Sequence, residues 1–591
     1  MEENLRLFDL AFRQPDLYPN LSIMSRKVAG EWKNIASTDF IQEVNNLSRG
    51  LVELGVKPNE KVGLIADSSL EWHIIDFAIQ QIGAVVVAIY PNITDTDYQF
   101  IINDAEIKLC IVSNKGLYKR LEAIRESVYT LKYIFCIEEH PEVRNWQEIF
   151  KVGQQVPMAK IEELRNQVQS SDLATLIYTS GTTGKPKGVM LTHRNIISNV
   201  EAAREITPCQ AYDRALTFLP PCHAYERMVI YTYMYIGITI HFAESLDKIG
   251  QNITEVKPHI MTAVPRILEK VYEKIMKAGL DLTGFKRKIF DWAVEIAEQY
   301  DPNPENRSFA YNLKLGVAKR LVLDKWYQAL GGHLKTVASG SASLQAKLAR
   351  VFLAAGIPLY EGYGMTEASP LISVNHYIKG IRIGTVGPAV KYVEIKLAED
   401  GEILVKGPNV MQGYYKNPEE TKKTIIDGWL HTGDIGIWED EIFLKIIDRK
   451  KEMFKISGGK YVIPQPIEKK LLESNFIEQA MVIGDGQKFA SAYIVPNYAH
   501  LQDWSKTEAP ELKNLPKIEF LKQPQVLRKI NKEVQMANQH FGNWEQIKKP
   551  IILANEFTIE DGELTPTLKM KRKVILEKYR KEFEELYHTE A

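Results

Sequence analysis

Residues 61–89 read KVGLIADSSLEWHIIDFAIQQIGAVVVAI. Residues 61–66 have the apolar, β-branched character of a strand, 71–82 that of a helix, and 85–89 that of a second strand, which together make a β-α-β unit. The pattern recurs downstream: a strand at 109–113, a helix through 118–127 and a strand at 133–137. Farther on, Val264-Pro265-Arg266 leads into a helix with Ile267, Leu268, Val271, Tyr272 and Ile275 on one face. Repeated alternation of this kind predicts an α/β fold with mostly parallel strands.

At 591 residues the chain is too long for one core, so at least two domains are expected. Proline-rich breakers at 301–304 and 509–516 interrupt two helical regions. From Tyr392 the pattern changes to short strands at 402–406, 435–438 and 442–447, which reads as a small β subdomain. A charge run, Asp448-Arg449-Lys450-Lys451, follows an apolar strand and marks a boundary. The expected division is a large domain over 1–447 and a smaller mobile α+β domain over 448–591.

Hydrophobic content of 45% and charged content of 25% exclude a disordered class. The net charge of -1 gives the chain as a whole no general attraction for nucleic acid or an anionic membrane. Cys110, Cys136, Cys209 and Cys222 form no metal-binding spacing and read as buried thiols in a reducing cytoplasm. Cys222 and His223 are neighbours, but adjacent side chains rarely face each other, so they make a poor nucleophile pair. The N-terminal stretch MEENLRLFDLAFRQPD is charged and lacks a signal-peptide core. The longest apolar run, 228–242, is too short to span a membrane and reads as buried helix and strand.

Residues 178–188 read YTSGTTGKPKG. The expected strand at 174–178 runs into a loop of small hydroxyl residues, Thr179, Ser180, Thr182 and Thr183, with Gly181 and Gly184 between them. Glycines let backbone N–H groups approach an anion closely, and Lys185 and Lys187 add positive charge. A strand end and then a helix beginning near His193 follow, so the loop sits where phosphate is commonly held. It is not the G-x-x-x-x-G-K-[ST] loop of ordinary nucleotide triphosphatases, because only two residues separate the glycines and proline follows Lys185.

Two further strings carry chemistry. Residues 360–367, YEGYGMTE, combine free backbone, the flat ring of Tyr363 and the oxygens of Thr366 and Glu367. A carboxylate beside a phosphate loop suits Mg²⁺, which prefers oxygen ligands. His431-Thr432-Gly433-Asp434 places an acid after a glycine turn, where it could accept from a ribose diol.

These strings, with DRKKEMFKISGGK at 448–460 and LTPTLKMKR at 564–572, resemble the adenylate-forming superfamily over nearly the whole chain and in the same order. HAYER at 223–227 and SGSASL at 339–344 make it most similar to bacterial long-chain fatty acid–CoA ligases. The resemblance implies ATP-dependent activation of a fatty acid through an acyl-adenylate, which then yields to coenzyme A, with release of pyrophosphate and AMP. It implies that Lys569 bridges the carboxylate and the α-phosphate, and that Thr366 and Glu367 hold Mg²⁺. Adenosine would lie against Tyr363, Gly340, Ser341, Ala342, Glu361 and Gly362. Asp434, assisted by Arg449, would take the ribose. Lys451 matches the hinge position, Gly458 a glycine beside the pantetheine channel, and His223 a position facing the acyl carboxylate. Glu226 and Arg227 read as structural ion-pairing groups.

The string departs from the family in having Ser341 and Ser343 where glycine, proline or alanine is common, and 439–441 lacks a turn glycine. The alternative is an acyl-AMP ligase, or a CoA ligase for an aryl or medium-chain acid. Little chain follows Lys569, which argues against a peptide-synthetase module. A non-enzymatic binding protein on this fold would not need Glu367, Asp434 and Lys569 together. Long acyl substrates partition into bilayers, so a cytoplasmic protein making peripheral contact with the inner face of the membrane is compatible with the sequence.

Overall fold

The computed structural model describes residues 2, 4–179, 186–565 and 568–588. The chain divides into two compact units. The first comprises Met1–Lys396, Leu404–Thr432 and Trp438–Lys445; the second comprises Leu397–Ile403, Gly433–Ile437 and Ile446–Ala591. The second unit thus begins close to the charge run and also takes in two short earlier segments.

The first unit holds two large sheets. Its strands, in chain order, are β1 (Ser22–Val28), β2 (Glu31–Ala36), β3 (Lys61–Ile65), β4 (Val85–Ala88), β5 (Leu109–Val112), β6 (Tyr133–Cys136) and β7 (Leu173–Thr179). Then come β8 (Lys187–Thr192), β9 (Arg214–Thr217), β10 (Thr239–Phe242), β11 (Ile260–Ala263), β12 (Thr336–Ser339), β13 (Leu359–Gly364) and β14 (Leu371–Val374). One sheet runs Gly413–Tyr414, β8, β7, β4, β3, β5, β6; the other runs β14, β13, β12, β11, β9, β10, β1, β2. In both, the central strands pair in parallel, and antiparallel pairs lie toward the ends, at β7–β8, β8 with Gly413–Tyr414, β13–β14 and β1–β2. This is the α/β class the alternating pattern predicts.

The local reasons are visible in burial. Strands β4 and β5 are buried at every position, as parallel strands covered on both faces must be. The helix between β3 and β4, Leu70–Gln81, is buried at all positions but Glu71, its polar Asp76 and Gln80 hydrogen-bonded to each other within the interior. Ser69 caps it by accepting from Trp72 N at 3.2 Å. The helix expected through 118–127 instead spans Lys115–Ala123, because Asn114 supplies an N-cap by accepting from Leu117 N at 3.0 Å. Residues 228–242 form the end of the helix Ala224–Ile236 and β10, both largely buried.

In the second unit, strands Ile477–Ile483, Ser491–Pro496 and Ile551–Ile552 form a three-stranded sheet. The helix Pro524–Asn538 buries Val526, Ile530, Val534 and Ala537, one stripe at spacings of four and three residues. Trp429–Glu439 is one continuous strand, longer than the 435–438 segment expected. Gly433 lies inside it at φ +72°, so the glycine read as a turn is a kink in a strand that only glycine adopts readily.

Candidate active site

Strand β7 delivers Tyr178 and Thr179, and β8 begins at Lys187, paired with Thr179. Ser180, Gly181, Thr182, Thr183, Gly184 and Lys185 lie outside the described residues. The Tyr178 hydroxyl donates to Asp104 Oδ2 at 2.6 Å. Burial and that carboxylate push its ionisation far above the usual phenol range. The Lys187 ammonium is bound to the Glu420 carboxylate and stands 5.2 Å from the centre of the Tyr414 ring. Its charge is therefore matched within the protein.

The second cluster is built on the parallel strands β12 and β13, whose Ser339 and Glu361 face each other in register. Gly340, Ser341 and Ala342 continue from β12. The Glu361 carboxylate accepts from Leu344 N at 2.9 Å and so ties this loop to β13. The Tyr225 hydroxyl donates to Ala338 O at 2.9 Å, and a Cβ added at Gly340 would lie 3.3 Å from the Tyr225 ring. Ser341 has φ +69°, a left-handed conformation, which gives the physical reason glycine is common there. Gly362 and Tyr363 pair with Val374 and Ser373 of β14.

Beyond β13 the chain turns at Thr366–Ala368. Glu367 is buried there and accepts from the Tyr414 hydroxyl at 2.8 Å through Oε1. Its backbone carbonyl accepts from Met411 N at 2.9 Å. Tyr414 thus joins Lys187 above its ring to Glu367 at its hydroxyl. Neither Tyr414 nor Glu420 was singled out from sequence, although the string GYYKNPEE at 413–420 is a dense polar cluster after an aromatic pair.

His223 caps the helix Ala224–Ile236, its Nδ1 accepting from Tyr225 N at 3.2 Å, and its ring meets Tyr90 edge-on at 6.5 Å. Glu226 and Arg227, both read as structural ion-pairing groups, differ in their partners. Arg227 pairs with Asp76 from the helix Leu70–Gln81, and it donates to Thr175 Oγ1 at 2.7 Å and the Tyr231 hydroxyl at 3.0 Å. Glu226 instead accepts from the hydroxyls of Thr217 and Thr262, the latter at 2.6 Å. Consecutive residues on a helix point about 100° apart, so one cannot neutralise the other. Burial pushes the Glu226 carboxyl up to about 7.

In the second unit, Asp434 lies 3.4 Å from Arg449 Nε. Gly433 N donates to Glu402 Oε1 at 3.0 Å, and the Lys450 ammonium binds Asp400 at 2.5 Å and Glu402 at 3.0 Å. Lys451 follows in an exposed turn. Gly458 is also exposed; a Cβ there would meet nothing within 4 Å, and only its neighbour Gly459 has positive φ, +77°. Lys569 is exposed on a loop closed by the Leu564–Met570 bridge, with Lys569 N donating to Thr565 Oγ1 at 3.0 Å and Thr565 N to Lys569 O at 2.8 Å. The base of that loop is held by Arg572, bound to both oxygens of buried Glu468 at 2.5 and 2.7 Å and to Glu452 at 3.1 Å.

Residues 12–415 match the AMP-binding enzyme family, and residues 452–591 match the AMP-binding enzyme C-terminal domain. Long-chain-fatty-acid--CoA ligase FadD15 of Mycobacterium bovis is 32% identical over 97% of this chain and 95% of its own. Fatty acyl-CoA synthetase A of Dictyostelium discoideum is 30% identical over 94% of this chain and 86% of its own. An anthranilate CoA ligase in complex with anthranoyl-AMP has the same fold, with a TM-score of 0.73 at 20% identity over 98% of each chain. With matches over both units, the chain belongs to the AMP-binding enzyme family.

Proposed function

We propose that this protein activates a long-chain fatty acid at the expense of ATP, forming an acyl-adenylate and pyrophosphate, and then transfers the acyl group to coenzyme A with release of AMP. The observation that carries this reading is its near full-length similarity to long-chain fatty acid–CoA ligases. A carboxylate acylates poorly because oxide is a bad leaving group; AMP is a far better one, and two moderate barriers replace one high one.

The roles follow the chemistry of the groups. Lys569, exposed on a clamped loop, offsets charge on the carboxylate and α-phosphate oxygens in the first step. The segment from Thr179 through Lys185 supplies backbone and hydroxyl donors to the phosphates, and Lys187, paired with Glu420, follows it. Tyr363 and the Gly340–Ala342 loop receive adenine, and the Asp434 carboxylate, assisted by Arg449, accepts from the ribose hydroxyls. His223 faces the acyl carboxylate, and Gly458 leaves space for pantetheine. Lys451 is the pivot between a unit spanning 1–447 and one spanning 448–591.

Among the described residues no three His, Cys, Asp or Glu side chains gather as a metal cage. Mg²⁺ commonly takes one or two carboxylates plus substrate phosphates and water, a demand that a single buried Glu367, oriented by Tyr414 and beside Thr366, fits. When bound it would neutralise phosphate charge during adenylation.

The test is ATP–pyrophosphate exchange across carboxylic acids from acetate to long-chain saturated acids, repeated with coenzyme A and thioester detection. Each buried methylene contributes about 0.8 kcal/mol, so kcat/KM should climb with chain length to a long-chain optimum. An optimum at aryl or medium-chain acids moves the substrate class, adenylate without thioester makes the protein an acyl-AMP ligase, and no exchange with any acid overturns the reading. Because such substrates partition into lipid, we place the reaction at the cytoplasmic face of a membrane. No helix among the described residues is long and apolar enough to cross one.

A further inference from the structure

The helix that opens at Phe309–Ala318 continues through Lys319–Leu323 and Asp324–Ala329. Ser308 caps it, accepting from Tyr311 N at 3.2 Å. One face is core: Leu315, Ala318, Val322, Leu323 and Trp326 are buried, Trp326 meets Phe290 of the helix Gly284–Glu298 at 6.1 Å, and the Tyr311 hydroxyl donates to Ile296 O at 2.8 Å. The other face breaks the rule that a surface helix is polar on its outer side. Phe309, Leu313, Val317 and Leu321, spaced by four residues, are 86%, 64%, 46% and 42% exposed. The turn leading into the helix Gly284–Glu298 adds Leu280, Leu282 and Phe285, at 62%, 36% and 77% exposed. The Phe290–Trp326 contact puts the start of that helix beside the end of the striped one.

The charge around this apolar surface is one-sided. Residues 274–288 and 307–325 hold ten basic and two acidic side chains, in a chain whose net charge is -1. Arg287 is matched by Asp291 at 2.7 Å; besides Asp281 and Asp324 within the two segments, the acidic residues Asp291, Glu295, Glu298, Asp301 and Glu305 lie between them. Exposed Phe and Leu set among Lys and Arg are the signature of a helix that lies in a lipid interface, where the rings enter the acyl boundary and the cations meet anionic headgroups. A second copy is the poorer occupant, because a two-fold contact would bring the same basic rim against itself.

We propose that the exposed Phe309–Leu321 stripe, with the Leu280–Phe285 turn beside it, docks the first unit on an anionic lipid surface. This rests on the membrane-face placement made above and gives it a location on the molecule.

The experiment is flotation of the full-length protein with phosphatidylcholine vesicles, with and without phosphatidylglycerol. The wild type should bind the anionic vesicles at least about tenfold more tightly than the neutral ones. A triple variant, Phe309→Ser with Leu313→Ser and Val317→Ser, should lose about tenfold or more of that binding, with unchanged thermal melting and unchanged exchange on a short soluble acid. If the wild type floats with neither vesicle, both the membrane placement and this surface fail. If the triple variant floats like the wild type, the membrane placement stands and this surface is overturned. A wild-type dimer that the triple variant dissolves would assign the face to a second copy and overturn the proposal. An independent reading comes from Ala310→Cys carrying an environment-sensitive dye, which labels selectively because the native cysteines are buried. Its emission should shift blue with anionic vesicles, and an unmoved spectrum overturns the proposal.

Discussion

At the scale of single residues, the proposed roles separate by half-reaction. Lys569→Ala should lower adenylate formation by about 10²–10³, the usual cost of one transition-state donor, while thioester formation from supplied acyl-adenylate survives. Equal loss of both half-reactions, measured by exchange and by acyl-adenylate consumption, would remove Lys569 from the first step. Gly458→Leu should do the reverse and spare exchange while blocking thioester release. A Cβ at 458 meets nothing within 4 Å, so the position starts from open space; normal overall turnover would show that no substrate passes there. Glu226 makes a third case. Its carboxyl is raised to about 7 by burial, so the folded state holds a proton that the unfolded chain releases near the ordinary Glu value of 4.5. Between those values the unfolded state binds fewer protons, and stability falls as pH rises. Glu226→Gln should therefore melt above the wild type at pH 8, by an amount equivalent to a few kcal/mol, with the gap closing by about pH 5. A constant gap in thermal denaturation across that window would contradict the assignment.

At the scale of elements, much of the molecule is legible from sequence, and the exceptions have physical reasons. The β3–helix–β4 unit reads directly because buried parallel strands leave long apolar runs. The strand expected at 174–178 is legible too, as β7. Arg227's partner was not: Asp76 is 151 residues away on another helix, and no local pattern announces it. The residues at 431–434 read as a turn because glycine is a breaker in most contexts; here its positive φ lies inside one continuous strand. Tyr414 escaped notice because an aromatic residue before a charged loop usually reads as core. The loop bearing Lys569 depends on an ion pair equally invisible in sequence, Arg572 with Glu468. Arg572→Ala would strand a buried carboxylate, so the second unit should lose about 3–5 kcal/mol, and adenylate formation should fall with it. Arg572→Lys should restore stability only in part, since lysine cannot make the paired contact. Thermal unfolding of both variants, read alongside exchange, tests this; an unaffected melting curve would show that the loop is held by other contacts.

At the scale of the whole molecule, two compact units serve one proposed reaction with two chemically different steps. On the proposed reading neither Lys569 nor Gly458 is needed during the other's step, which is the sense of the pivot proposed at Lys451. Lys451 lies in an exposed turn, and proline there fixes φ near -65°. Lys451→Pro should slow overall turnover far more than it slows one isolated half-reaction; pre-steady-state adenylate bursts with normal amplitude but slow release would be the signature. If both half-reactions and overall turnover fall together, position 451 is part of the chemistry and not of the movement.

The four cysteines carry a last consequence. All are sealed in the interior, and burial raises each thiol, Cys110 and Cys209 to about 12. A catalyst whose second substrate is itself a mercaptan must keep company with that mercaptan's oxidised dimer. By hiding every sulfhydryl of its own and leaving it protonated, the chain withholds the anion that disulfide exchange requires, and so it can share a solution with its cosubstrate through oxidative stress without being capped by it.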